Sequence, residues 1–415
     1  MPVPSVKAII NFSTGASFGQ AFIIGSGILG TNILADSAGV IVDVSNQVDT
    51  ITTQRGRNAA ADQFQSGNLT MRIVDQNGDF NPQNTASPYY GLLSPMRKVQ
   101  ISATYLGVTY PIFAGFITGY NTTTPKYVGD VVYTTITAVD AMRLLTNALV
   151  TTVTGAVAGE DTGTRISRVL DTIGWPNSMR SIATGQTTVQ ADPGTARSAL
   201  AACQTLEITE YGAFYIDANG IVTFKNRNYC TTSANGTPVY FNDNGTNISY
   251  FNAFWVLNDS QVVNQASITA IGLAAQIATN TTSIAKYFVH SYTQTDLLMQ
   301  TTTEALNNAR AYVASRAETT IRCDAITLDL YTNNYTIGTI AALDLDYFDP
   351  INVTTTQPAV VGTSSITKNL QVFGVEHKIT PNSWKTTFTT LEPIIDGFLI
   401  GSALYGVLGT NTLSY

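Results

Sequence analysis

Five groupings of residues in this 415-residue chain have the types and spacing that chemistry would need. Gly25-Ser-Gly-Ile-Leu-Gly30 follows an apolar run in the pattern of a dinucleotide-binding turn, and Asp43 or Asp49 lies near the distance of a ribose-binding acid. Thr31 to Ala35 is too short, before Asp36-Ser-Ala-Gly39, to be the helix whose amides hold a pyrophosphate. Gly15-Ala-Ser17-Phe-Gly19 has the spacing of a nucleophile elbow, yet strand-like residues follow where a helix is required. The available bases are His290 and His377, 87 positions apart in strand-like apolar settings. Two such histidines make a poor metal site and read as structural imidazoles. Asp75, Asn77 and Asp79 begin like a calcium loop, but Phe80 stands where glycine is needed and no bidentate Glu follows, which leaves a solvated turn. Glu207 and Glu210, where a helix meets a hairpin, are spaced for acid–base work but lack an aromatic cleft beside them. The reading that survives is a chain with no catalytic residue, no metal and no cofactor.

The elements that would have to position these residues are mostly strands. Only 12% of residues are charged, against roughly 25% in ordinary soluble domains, so neutral polar groups must keep the surface wet. The 61 threonines do this, and their branching at Cβ favours the pleated sheet. A net charge of −7 argues against counterion-release binding to nucleic acid, while a mildly acidic wall would let DNA pass without sticking. Cys203, Cys230 and Cys323 are too few and too scattered for a disulfide framework or a zinc site. The N-terminus makes a poor signal peptide, and no apolar run of about 18 residues predicts a membrane span.

Period-two alternation runs from Val40, Val42 and Val44 through Leu69, Met71 and Ile73 to Val99, Ile101, Ala103 and Tyr105, and then Ile112–Ile117 and Val131–Ala138. Strands at such short spacing predict a small barrel or sandwich over 36–147. The period then lengthens. Thr164 is placed to cap a helix carrying Ile166, Val169, Leu170 and Ile173, which Gly174-Trp-Pro176 ends. Asp192-Pro193 opens a second helix through Leu206, and Asp217-Ala-Asn-Gly220 turns a hairpin. Beyond 232 the pattern is strand-like again, interrupted by a helix at 301–317 capped by Thr301. The predicted fold is mainly β (α+β): two tube-like barrel or sandwich domains at 36–147 and 233–395, around a helix-containing insert at 148–232.

Both chain ends carry apolar, glycine-rich, uncharged edges. Ile24, Ile28, Leu29 and Leu34 in segment 1–35 are echoed by Ile400, Leu404 and Leu408 in segment 396–415, where Phe398 and Leu399 are further candidates. Exposed apolar patches of this kind mark interfaces, so both segments are read as docking elements. Arg55-Gly-Arg57 is the sharpest basic spot in the first β-unit. It could touch DNA in a channel, but the favoured reading pairs its guanidiniums with Asp62 or Asp79 within or between subunits.

Arg55-Gly-Arg57 is followed in order by Gly67-Asn-Leu-Thr-Met-Arg72, Asn77-Gly-Asp-Phe-Asn-Pro82, Ser87-Pro-Tyr-Tyr-Gly91 and Pro95-Met-Arg-Lys-Val99. Further on come Ile112-Phe-Ala-Gly-Phe-Ile117, Asp140-Ala-Met-Arg143, Phe214-Tyr-Ile-Asp217, and Val375-Glu-His-Lys-Ile379 with Trp384. This succession, from about 40 to 395, resembles minor tail proteins of long-tailed bacteriophages, notably those infecting actinobacteria, and within them the baseplate (tail) hub family. The resemblance implies a homotrimer in the virion tail tip, assembled in the host cytoplasm, whose two tube-like domains per subunit match a six-fold tube. It implies as partners a distal tail protein, the tape-measure protein, tail fibre or tip proteins, and phage DNA in transient passage without sequence-specific binding. No membrane insertion is implied. A hexameric distal tail protein and a receptor- or carbohydrate-binding adhesin are the alternative readings.

Overall fold

Alternation along the first strands is converted directly into a one-sided sheet. A computed structural model describes residues 3–12, 40–57, 63–123, 130–331, 336–357 and 365–393. Its first seven strands are β1 (Ser5–Asn11), β2 (Ile41–Asp43), β3 (Val48–Gly56), β4 (Gln65–Val74), β5 (Lys98–Tyr105), β6 (Val108–Thr123) and β7 (Tyr133–Val139). On β4, Leu69, Met71 and Ile73 are buried while Asn68, Thr70 and Arg72 face out, as period two requires. Val99, Ile101, Ala103 and Tyr105 of β5 follow the same rule. Residues 5–11, assigned from sequence to a docking segment, are instead a strand paired with β5 and β2.

The insert begins with α1 (Met142–Asn147) and β8 (Leu149–Val150). It continues through α2 (Thr162–Thr172), β9 (Arg180–Ile182), β10 (Arg197–Ser198), α3 (Ala199–Glu210), β11 (Ala213–Ile216), β12 (Val222–Lys225) and α4 (Arg227–Thr232). Two helix starts differ from expectation. Asp161, not Thr164, caps α2, accepting from Thr164 N at 3.0 Å, because its carboxylate reaches the free amide while its own backbone is extended. α3 starts after Ser198, whose Oγ accepts from Ala201 N at 3.1 Å. Asp192 instead accepts from Val153 N and Gly194 N, both at 3.2 Å, and Gly194 at φ +66° turns the chain out of the helical path. The hairpin of β11 and β12 forms at the expected place. Its turn is longer than a two-residue loop, with only Gly220 at positive φ and Asp217 Oδ1 accepting from Asn219 N and Ile221 N.

The remaining strands are β13 (Val239–Asn242), β14 (Ile248–Ser249), β15 (Asn252–Val256), β16 (Gln265–Ala270), β17 (Gln276–Thr279), β18 (Ser291–Leu297), β19 (Arg322–Asp329), β20 (Pro350–Thr356), β21 (Ser365–Thr380) and β22 (Ser383–Leu391). Among them lie α5 (Thr281–Tyr287), α6 (Thr302–Arg316) and α7 (Ile337–Asp344). α6 has a full capping box between Thr301 and Glu304, as the sequence predicts. Residues 233–395 do not form a single β-unit, however. β16, β17 and β18 make a separate three-stranded sheet, packed on α6 around Ala266, Ile268, Met299, Ala305, Ala309 and Val313. This second, smaller core is inserted between β15 and β19.

The fold is mainly β, and among the described residues its principal sheet has 14 strands in the order β14-β13-β20-β21-β3-β4-β7-β6-β5-β1-β2, with β22-β19-β15 branching from β21. Among the described residues these strands make an open sheet and do not close into the two barrels expected from sequence. Strand β3 is the seam: one edge pairs with β4 and the other with β21, from Ile51 opposite Ile379 to Gly56 opposite Gly374.

Candidate assembly interface

Five strands of the principal sheet occur twice in the same spatial and chain order. The first set is β3, β4, β7, β6, β5 and the second is β15, β19, β22, β21, β20. The likeness extends to individual pairs. Ile51, Met71, Ile136 and Tyr120 stand abreast across the first set, and Ala253, Ile326, Phe388 and Val375 stand abreast across the second. Both long strands, β6 and β21, have 16 residues. Both also slip register at a glycine, between Ile117 and Gly119 in β6 and between Val372 and Gly374 in β21. The flanking strands differ, since β1 meets β5 antiparallel whereas β13 meets β20 in parallel.

Inside the chain the two units join through β3 on β21, and the arginines identified from sequence sit at that seam. Arg55 is only 7% exposed. Its Nη1 lies 3.2 Å from Asp346 Oδ1 and its guanidinium 5.2 Å from the centre of the Tyr347 ring. Burial alone would lower its pKa, but Asp346 and Tyr347 more than offset that, so it stays a cation. Among the described residues the partner of Arg55 within the chain is Asp346 of the second unit, while Asp79 lies in the turn capped by Asp75. A buried Arg55 also does not face a channel. Arg57 lies over the Phe373 ring at 4.1 Å and the Phe64 ring at 5.8 Å. Phe64 in turn packs on Tyr215 of the insert at 5.1 Å and on Tyr347 at 5.0 Å, so one aromatic cluster fastens both β-units and the insert. Asp62, Ile24, Ile28, Leu29, Leu34, Phe398, Leu399, Ile400, Leu404 and Leu408 lie outside the described residues.

Of the residues considered for chemistry, Glu207, Glu210, His290, His377 and Asp75 are bonded within the fold, and Ser17 and Gly25–Gly30 lie outside the described residues. Glu210 accepts from Thr162 Oγ1 and Thr187 N, both at 2.8 Å, and from Gln186 N at 2.9 Å. Glu207 accepts from Phe214 N at 2.8 Å, and burial, opposed by that bond, by Arg57 and by Gln63, pushes its pKa up to about 8. His377 Nδ1 accepts from Trp384 Nε1 at 3.3 Å and lies 3.0 Å from Thr386 Oγ1. Burial, aided by Arg55, depresses its pKa to about 3, so the ring is neutral. His290 Nε2 lies 3.2 Å from the Tyr287 carbonyl oxygen. Asp75 is buried rather than solvated and accepts from Asp79 N, Phe80 N and Thr134 Oγ1 of its own turn and the next strand. Its oxygens are thereby committed to two backbone amides and one hydroxyl.

Sequence reasoning missed the partners across the seam, Asp346, Tyr347 and Phe373. The run Asp344-Leu-Asp-Tyr-Phe-Asp349 carries the signal, three acids beside two aromatics, but nothing in its spacing points 291 residues back to Arg55. It also missed the edge of β15, where Phe254 is 57% exposed and Leu257, just beyond the strand, 63%.

No family model and no curated protein matches the chain. Solved structures do resemble it. The tail protein from Neisseria meningitidis MC58 superposes with a TM-score of 0.56 at 9% identity, covering 95% of this chain and 98% of that one. The 43 kDa tail protein of prophage MuSo2 from Shewanella oneidensis gives a TM-score of 0.51 at 10% identity, covering 86% of this chain and 97% of that one. Along nearly the full length of each, the chain has the fold of these two tail proteins.

Proposed function

We propose that the chain is a non-enzymatic structural subunit of a bacteriophage tail tip, a hub of which three copies form a ring. The observation that carries this reading is the doubled five-strand unit, repeated down to its bulge glycines Gly119 and Gly374. A chain that supplies two equivalent units lets three copies present six similar edges, which reconciles a trimer with a six-fold tube. The fold shared with two tail proteins supports the same reading. In this role the ring continues the tail tube, joins a distal tail ring to fibre or tip proteins, and holds back tape measure and DNA until receptor engagement shifts it. The low charge and net −7 suit a wall past which DNA moves without binding. No step requires a catalytic group, and the residues best typed for one, Glu207, Glu210 and His377, are bonded inside the fold. Immunogold labelling of virions with antibody to this chain tests the assignment. Label is expected at the distal tail end, and label on the head or along the tube would overturn it.

A further inference from the structure

Where the start of β4, α1, α3 and β18 meet, they leave a cleft of about 420 Å³, within the range of roughly 300–1,000 Å³ usual for small-molecule sites. Four of the ten residues lining it are glutamines, Gln63, Gln65, Gln204 and Gln294, in a chain with 18 glutamines among 415 residues, so composition alone would place fewer than one there. They come from three parts of the fold: the first β-unit, the insert and the smaller second core. Gln204 lies between Leu200 and Ile208 at four-residue steps on α3, so these three share the helix face that floors the cleft. Gln63 is engaged, donating from Nε2 to Glu207 Oε2 at 3.5 Å. The carboxamides of Gln65, Gln204 and Gln294 hydrogen-bond to nothing among the described residues. Among those residues no Asp, Glu, Lys, Arg or His lines the cleft.

Two aromatic rings complete the walls, and packing holds both in place. Tyr292 stacks on Tyr312 at 3.8 Å, and the Arg316 guanidinium lies 3.9 Å from the centre of the Tyr312 ring. Phe64 packs against Tyr215, Tyr347 and Phe348. A carboxamide presents a donor and an acceptor side by side, which is what neighbouring sugar hydroxyls require, and an aromatic ring covers the apolar C–H face of a pyranose. A charged ligand would find no counter-charge on these walls. An extended peptide is read mainly through backbone hydrogen bonds, which the α3 floor cannot supply because its own backbone is bonded within the helix. We propose that this cleft binds a neutral saccharide, with the carboxamides of Gln65, Gln204 and Gln294 on its hydroxyls and the Tyr292 ring against its C–H face. The bound sugar also ties the smaller second core to the first β-unit, since each contributes a glutamine. This inference goes beyond the hub reading and does not depend on it.

Titration calorimetry and saturation-transfer NMR of the full chain, against a panel of neutral oligosaccharides of glucose, galactose, mannose and N-acetylglucosamine, test it. At least one member is expected to bind at millimolar concentration or below and to receive saturation from tyrosine ring protons. Gln204→Ala combined with Gln294→Ala is expected to weaken that binding about tenfold, while the circular dichroism spectrum and melting temperature stay those of wild type. Gln65→Ala, at an exposed position, is expected to weaken it several-fold and decides the matter should the double variant fail to fold. Binding by no member of the panel, or binding that these variants leave unchanged, would overturn the proposal. Capture of neutral peptides that the same variants abolish, with no saccharide bound, would overturn it in favour of a peptide groove.

Discussion

Gly56 and Gly374 oppose each other across the seam of the two β-units so closely that a Cβ on Gly56 would lie 2.6 Å from Gly374 Cα and 2.3 Å from the Phe373 carbonyl oxygen. Gly56 also has φ +99°, a backbone setting that L side chains rarely adopt. Gly56→Ala is expected to cost about 3 kcal/mol or more, from strain and the forced separation of two backbones. Gly91→Ala, at φ +77° but with nothing within 4 Å of the new Cβ, should cost only about 1 kcal/mol. Equal losses in calorimetry would show that the seam is not held by close backbone approach.

Arg55 and Asp346 couple the units electrostatically. Asp346→Asn leaves the buried Arg55 guanidinium without its carboxylate and should cost about 1–3 kcal/mol. A cycle with Arg55→Met and the double variant should give a coupling energy of about 1 kcal/mol, moderated because Asp346 is partly exposed to solvent. Additive losses would mean that the pair contributes nothing beyond its separate members.

Stability should depend on pH through Glu207. Its pKa in the fold is raised to about 8 by burial, so the folded chain holds a proton that the unfolded chain releases near its ordinary carboxylate range. The resulting stability is complete below the unfolded value near 4.5 and is lost as pH rises through about 8. Glu207→Gln, which cannot ionise, should therefore match wild-type stability at pH 5 and exceed it at pH 9 by on the order of a few kcal/mol. A constant difference between the two pH values would contradict this protonation state.

The capping box of α6 is a local test. Thr301→Ala removes the acceptor for Glu304 N and should cost about 1 kcal/mol. Thr164→Ala, at the position the sequence suggested as a cap for α2, leaves the actual acceptor, Asp161, in place and should cost less. The reverse order of melting temperatures would contradict these assignments.

What the sequence revealed and what it concealed divide along the range of the interactions. Alternation such as Leu69, Met71, Ile73 reports a one-sided strand because its cause, the pleat, acts over two residues. The box at Thr301 and Glu304 is likewise local. The α2 cap was missed by three residues because Asp161 and Thr164 are both competent acceptors, and only the extended backbone at Asp161 decides between them. The seam was concealed for a different reason. Arg55 meets Asp346 across 291 positions, and the pairing of Gly56 with Gly374 depends on the docking of two complete units. The repeat itself is hidden in composition because pairs such as Tyr120 and Val375, or Met71 and Ile326, keep their place in the sheet but not their identity.

On the proposed reading, one chain supplies two equivalent edges so that three copies make a six-unit ring. The mass of the assembled, purified protein measures this most directly. Three times the 44.4 kDa chain mass is expected. A six-copy ring, or a monomer that persists at high protein concentration, would contradict it.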